Sequence, residues 1–121
     1  MSNILNTVQL GVIWILFFFS SVYGHVALKL AVTAEDTSTA KGFWLSAISF
    51  WGWTAWLSWG VSALLWMLLV ARSPLIAASS ISSLRYVLIC LAAYLILRET
   101  ISPKELIGMA CITLGIVLVA R

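Results

Sequence analysis

Arg85 sits in the stretch SSISSLRYVLICLAAYL, residues 79–95, inside an apolar run that Pro74 opens and Leu97 closes. Its planar guanidinium is a fork of N–H donors that fits phosphate or carboxylate oxygens two at a time. At roughly 1.5 Å of rise per residue, the arginine lies near the middle of a membrane-spanning helix. Keeping it there costs at least about 2.5–3.5 kcal/mol on insertion scales. Ser82 precedes Arg85 by one turn and Tyr86 follows it, giving this helix a polar face with Ser79 a turn further back. In the first apolar run Ser21, His25 and Lys29 recur at intervals of four residues, so they share one face as well. The four acids, Glu35, Asp36, Glu99 and Glu105, all fall in loops or at helix ends. No carboxylate is therefore expected at mid-membrane depth to neutralise Arg85, and buried charges need partners.

Two such faces turned towards each other make a cationic groove suited to an anionic substrate such as a phosphate. Arg85 is its expected anion ligand, with Tyr86, His25, Lys29, Ser21 and Ser82 as secondary contacts. Plainer readings stand beside this one. Lys29, near its helix end, can snorkel to the headgroups, and His25 can be a neutral, hydrogen-bonded core histidine. Arg85 can bond helix carbonyls and serine hydroxyls alone.

The elements that position these residues follow from composition. The chain has 121 residues, 63% of them hydrophobic and 9% charged, with a mean hydropathy of +1.09. A soluble domain of that composition has no polar surface to offer water. Each membrane span takes about 20 apolar residues, so four spans use up most of the chain and leave little for a catalytic domain. A net charge of +3, scattered along the sequence, argues against nucleic acid. The expected fold is an all-α integral membrane protein, a single four-helix domain over residues 1–121 with spans near 8–32, 44–71, 74–97 and 103–120. No basic segment precedes the first run and no small-residue cleavage site follows it, which predicts a retained helix and not a signal peptide. Cys90 and Cys111 fall inside apolar runs, where free cysteine packs as a small hydrophobe.

Local signals refine the helices. TAEDTSTAKG, after the first span, predicts a short loop. Trp44 predicts an interfacial anchor, whereas Trp53 and Trp56 are too deep for that. They either pack against neighbouring helices or, Trp56 in particular, line a ligand site. RSPL offers Ser73 as N-cap with Pro74 at the first helical position. ISPKEL repeats the signal with Ser102 and Pro103, and Glu105 completes a capping box. Gly108, Cys111 and Gly115 form a small-residue stripe on the last span, which serves packing within the bundle or contact with a second subunit. Four helices make a thin enclosure for a pathway, which favours a homodimer or heterodimer. With four spans Arg72 and Arg121 share one side, and Lys41, Arg98 and Lys104 the other, with Lys29 close by. So even a balance barely sets orientation, and fits dual insertion or a partner subunit that sets it.

Catalysis finds no support: there are no paired carboxylates, no metal-ligand cluster, no phosphate-cradling glycine loop, and no in-span acid to orient His25 for a triad. No cofactor is implied.

The four-helix length and two segments resemble the small multidrug resistance proteins of the drug/metabolite transporter superfamily. SVYGHVALK, residues 21–29, is similar to that family's Glu-x-x-Gly followed by lysine. LRETISPKELIGMACITLGIVLV is similar to its acidic loop and glycine-rich last helix. The departure is Ser21, which stands where the family has the first-helix glutamate that binds proton and cationic drug. A nearer resemblance is to the two small subunits of the aminoarabinose-phosphoundecaprenol flippase, in the Ser-Val-x-Gly first helix, in LRYVL and in GMACITLGIVLV. That resemblance implies a multi-pass protein of the bacterial inner membrane, dimeric with a similar subunit, that moves a polyprenyl-phosphate-linked sugar. Tryptophans of the second span would then stack on the sugar or flank the prenyl chain. The alternatives are an exporter of small solutes and an accessory membrane subunit whose arginine pairs with a partner's acid.

Overall fold

The computed structural model describes residues 1–121. Helices follow in the order α1 (Ser2–Ala34), α2 (Ala40–Ile48), α3 (Phe50–Arg72), α4 (Leu75–Ser82), α5 (Leu84–Ile96) and α6 (Pro103–Ala120). Four of the resulting segments are long and apolar enough to cross a membrane: α1, α3, the joined Leu75–Ile96 stretch of α4 and α5, and α6. At about 1.5 Å per residue, α1 is about 50 Å long and overshoots the roughly 30 Å of hydrocarbon. Its first turns accordingly carry Ser2, Asn3, Asn6, Thr7 and Gln9.

Small residues hold the bundle together. All the buried residues except Phe17 and Leu69 are glycine, alanine or serine. Lipid supplies no hydrophobic drive between helices, so they associate where small side chains let backbones come close. The main seam joins α1 to α3, and on α1 it runs through Ser20, Gly24, Ala27 and Ala31, all buried. Ser58 of α3 donates its hydroxyl to the Ser20 carbonyl at 2.5 Å, a hydrogen bond across that seam. α5 packs on α1, and α6 packs on α4 and α5 without burying any of its own residues.

Two apolar runs that look continuous in sequence are interrupted by serine. Ser49, with φ −64° and ψ 165°, separates α2 from α3. Its hydroxyl donates to the Ser46 carbonyl at 2.7 Å and accepts from the Gly52 N–H at 3.1 Å, closing one helix and opening the next. At Ser83 the break is milder. The hydroxyls of Ser79 and Ser80 bond back to Ile76, Ser82 to Ser79 and Ser83 to Ser80, at 2.5 to 3.0 Å. Such back-bonding competes with the helix ladder and bends it, and the Ser83 and Tyr86 N–H groups bond three residues back.

The capping box at Ser102 forms as the sequence predicts, with Ser102 N–H on Glu105 Oε2 at 2.6 Å and Glu105 N–H on Ser102 Oγ at 3.3 Å. The cap expected at Ser73 does not. Pro74 itself is the N-cap, with an extended ψ of 136°, and no side chain caps α4. Ser73 is extended as the C-cap of α3, so the helix starts one residue late. In the loop between α1 and α2, Asp36 accepts from the Ser38 hydroxyl and backbone N–H. These bonds, the hydroxyl's first, hold its carboxyl below the ordinary aspartate value.

Gly52 lies where the end of α2 meets the start of α3. A Cβ there would run into the Ser46 and Ala47 carbonyl oxygens, main-chain atoms that cannot rotate away. Overpacking of this kind costs about 1–3 kcal/mol, so Gly52→Ala should unfold at lower temperature in detergent. Gly60→Ala, on the same helix with nothing within 4 Å of the new atom, should not. Equal shifts for the two would mean the junction is not tightly closed.

A polar cavity beside Arg85

α1, α3, α4 and α5 border a partly open cavity of about 660 Å³, within the range of about 300–1,000 Å³ seen for ligand pockets. α1 contributes Phe17, Ser21 and His25; α3 contributes Trp59, Ser62, Ala63 and Trp66; Ser79, Ser82, Ser83, Arg85 and Tyr86 complete the wall. The lining contains no carboxylate. Arg85 is half-buried, and its guanidinium lies 5.3 Å from the centre of the Tyr86 ring. It takes part in no ion pair; the chain's salt bridge joins Lys29 to Glu99 at 3.4 Å.

The serines divide into two groups. Ser79, Ser82 and Ser83 have committed their hydroxyl protons to helix carbonyls. Ser21 and Ser62 are 2% and 7% exposed, and neither hydroxyl bonds to the protein, yet no buried side-chain polar atom is stranded. Their oxygens therefore open into the cavity.

His25 and Trp59 meet across the α1–α3 seam. The Nδ1 of His25 lies 2.7 Å from the Ser21 carbonyl oxygen, a separation that requires a hydrogen on that nitrogen. Trp59 Nε1 is 3.4 Å from the same Nδ1, but both atoms are then donors and cannot bond to each other. The shorter contact decides the tautomer, and the rings meet edge to face with centroids 5.2 Å apart. The ring of Trp59 can lie here because Gly24 has no side chain. A Cβ on Gly24 would fall 2.5 Å from Trp59 Cδ1 and 2.6 Å from Nε1.

Of the residues singled out from sequence, Ser21, His25, Ser82, Arg85 and Tyr86 line this one cavity. Lys29 does not: it is exposed and reaches Glu99 beyond the end of α5. Trp56 is 51% exposed and its indole N–H points at the Ala47 carbonyl, 3.3 Å away. Trp53 is likewise exposed, so neither packs in the core. Gly108, Cys111 and Gly115 are exposed, with open space over both glycines; the stripe is not used inside the bundle. The cavity tryptophans are Trp59 and Trp66, and with Ser62 they recur at three- and four-residue steps on α3. That helical spacing was present in the sequence but masked by tryptophans at Trp51, Trp53 and Trp56.

A protein of Pseudomonas aeruginosa (strain UCBPP-PA14), named a probable 4-amino-4-deoxy-L-arabinose-phosphoundecaprenol flippase subunit ArnE, is 35% identical over 98 residues, which is 81% of this chain and 85% of the relative. The chain belongs to this family of flippase subunits. The ArnE protein of Proteus mirabilis (strain HI4320) is 34% identical over 80% of this chain and 84% of its own. That of Salmonella paratyphi B is 28% identical over 91% and 96%. No family model matches the chain, and no solved structure matches it. With four helices able to cross a membrane, this ArnE-family chain is a multi-pass membrane protein, and its relatives' names assign a transport role.

The contact between Gly24 and Trp59 can be isolated by a double-mutant cycle. Gly24→Ala should lower stability by about 1–3 kcal/mol through overpacking, read as thermal unfolding in detergent. In a Trp59→Ala background the same change should cost little. An equal cost in both backgrounds would place the strain between the α1 and α3 backbones instead.

Proposed function

We propose that this chain is one subunit of a flippase that moves an anionic, polyprenyl-phosphate-linked sugar across the bacterial inner membrane, with Arg85 holding the phosphate. The observation that carries this reading is a guanidinium with no protein anion, facing a cavity whose lining holds no carboxylate. An ion left in that state is expensive, and a phosphate arriving from outside the chain supplies the missing charge. The relatives' names, which specify a phosphoundecaprenol-linked amino sugar, agree with this charge argument. The same cavity disfavours cations, and Ser21 on its wall offers no carboxylate to exchange a proton for a cationic drug.

The protein works with a second four-helix subunit of similar build. The small-residue stripe of α6, open in this chain, is a surface on which another helix can approach closely.

Removing Arg85 relieves the bundle of an unpaired ion, so Arg85→Ala should insert and unfold at least as well as the parent. Charge-assisted hydrogen bonds contribute about 1.5–3 kcal/mol, so the variant should bind an undecaprenyl-phosphate-linked pentose roughly ten- to a hundred-fold more weakly, and should not flip it in reconstituted vesicles. Arg85→Lys should restore transport only in part, because a point charge replaces a fork. An Arg85→Ala protein that unfolds, or that transports the lipid normally, would make the arginine structural and remove the basis of this reading.

A further inference from the structure

We infer that Ser21, His25, Trp59 and Ser62 form a hydrogen-bonding subsite for the sugar of the lipid whose phosphate Arg85 holds. The inference rests on the phosphate reading above and adds a second, uncharged recognition element to the same cavity.

All four residues line the cavity and come from the α1–α3 seam, the most closely packed part of the fold. Two of them, Ser21 and Ser62, are more than nine-tenths buried, with hydroxyls that no protein group engages and that are nonetheless not stranded. Hydroxyls that open into the cavity without a protein partner can each donate to and accept from a ligand, so a wall that keeps two of them free is suited to a ligand that bonds them. The His25–Trp59 geometry adds a complementary pair. Because Nδ1 of His25 donates to the Ser21 carbonyl at 2.7 Å, the neutral ring offers Nε2 as an acceptor. The Trp59 N–H points towards Nδ1 at 3.4 Å and finds no lone pair there, so beside the cavity it is a donor without a protein acceptor. A sugar hydroxyl both donates and accepts, and an amino substituent donates, so a pentose can engage an acceptor and a donor set side by side.

The cavity wall is long enough for both parts of the headgroup. The ring of Phe17 on α1 lies tilted against that of Trp66 on α3, and eight residues along α1 His25 meets Trp59. At about 1.5 Å per residue the wall between these contacts is roughly 12 Å long, room for a phosphate and one sugar ring. Gly24 is the positioning residue, since only a residue without Cβ leaves the Trp59 indole where it lies.

The test compares equilibrium binding of undecaprenyl phosphate with and without a pentose to the purified full-length protein in detergent. The parent should prefer the glycosylated lipid. Ser62→Ala, which removes one oxygen, and Trp59→Phe, which keeps a ring and loses the N–H, should each lower that preference about tenfold. Arg85→Gln should weaken both lipids together and leave the preference in place. A parent with no preference, or a preference unchanged in both Ser62→Ala and Trp59→Phe, would overturn the sugar subsite while leaving the phosphate site standing. Arg85→Gln binding both lipids as the parent does would overturn the phosphate reading instead.

Discussion

A guanidinium in the hydrocarbon has to be paired or wetted, and in this chain nothing pairs Arg85. The acids lie at the ends of the helices, and one of them, Glu99, is taken by Lys29. The bundle accordingly leaves a partly open cavity beside Arg85, lined by serines and aromatic rings. The serine-rich run before Arg85 fits the same constraint. Its hydroxyls donate to helix carbonyls, which bends α4 into α5 at Ser83 and leaves those hydrogens unavailable to an anion. The guanidinium is left as the strong donor on that wall.

Rigidity comes from the opposite wall. α1 and α3 approach through serine, glycine and alanine, and a single cross-seam hydrogen bond from Ser58 to Ser20 fixes their register. Close approach places Trp59 on Gly24 and against His25. One wall is thus a bent, serine-softened helix carrying charge, and the other a tight seam carrying neutral donors and acceptors. A headgroup with both a phosphate and a sugar matches that division, and the relatives are named for a lipid that carries both.

Much of this was legible in the sequence, for identifiable reasons. Helical runs announce themselves through length and apolarity, and the Ser102–Glu105 cap through a local motif. Ser21 with His25, and Ser82 with Arg85 and Tyr86, could be grouped because polar residues one turn apart in an apolar helix must share a face. The partner face on α3 was hidden, since a helix apolar all round has no preferred side and its tryptophans are spread around it. Ser62 looked like one serine among many until its unbonded hydroxyl distinguished it from buried serines tied to their own helix, such as Ser20, Ser46 and Ser82. Lys29 followed the same spacing as His25 yet reaches a loop acid, because α1 runs on past the end of α5. The break at Ser49 was equally invisible: a serine inside an apolar run becomes a cap only when a neighbour such as Gly52 lets two helices meet at an angle.

The central claim is that Arg85 exists for a phosphate that arrives from outside the chain. Native mass spectrometry of the protein extracted gently from bacterial membranes, beside Arg85→Ala prepared identically, tests it most directly. The account predicts a bound polyprenyl phosphate, bare or sugar-bearing, on the parent and its loss from the variant. The same polyprenyl phosphate retained by Arg85→Ala, or only bulk phospholipid on both proteins, would contradict it.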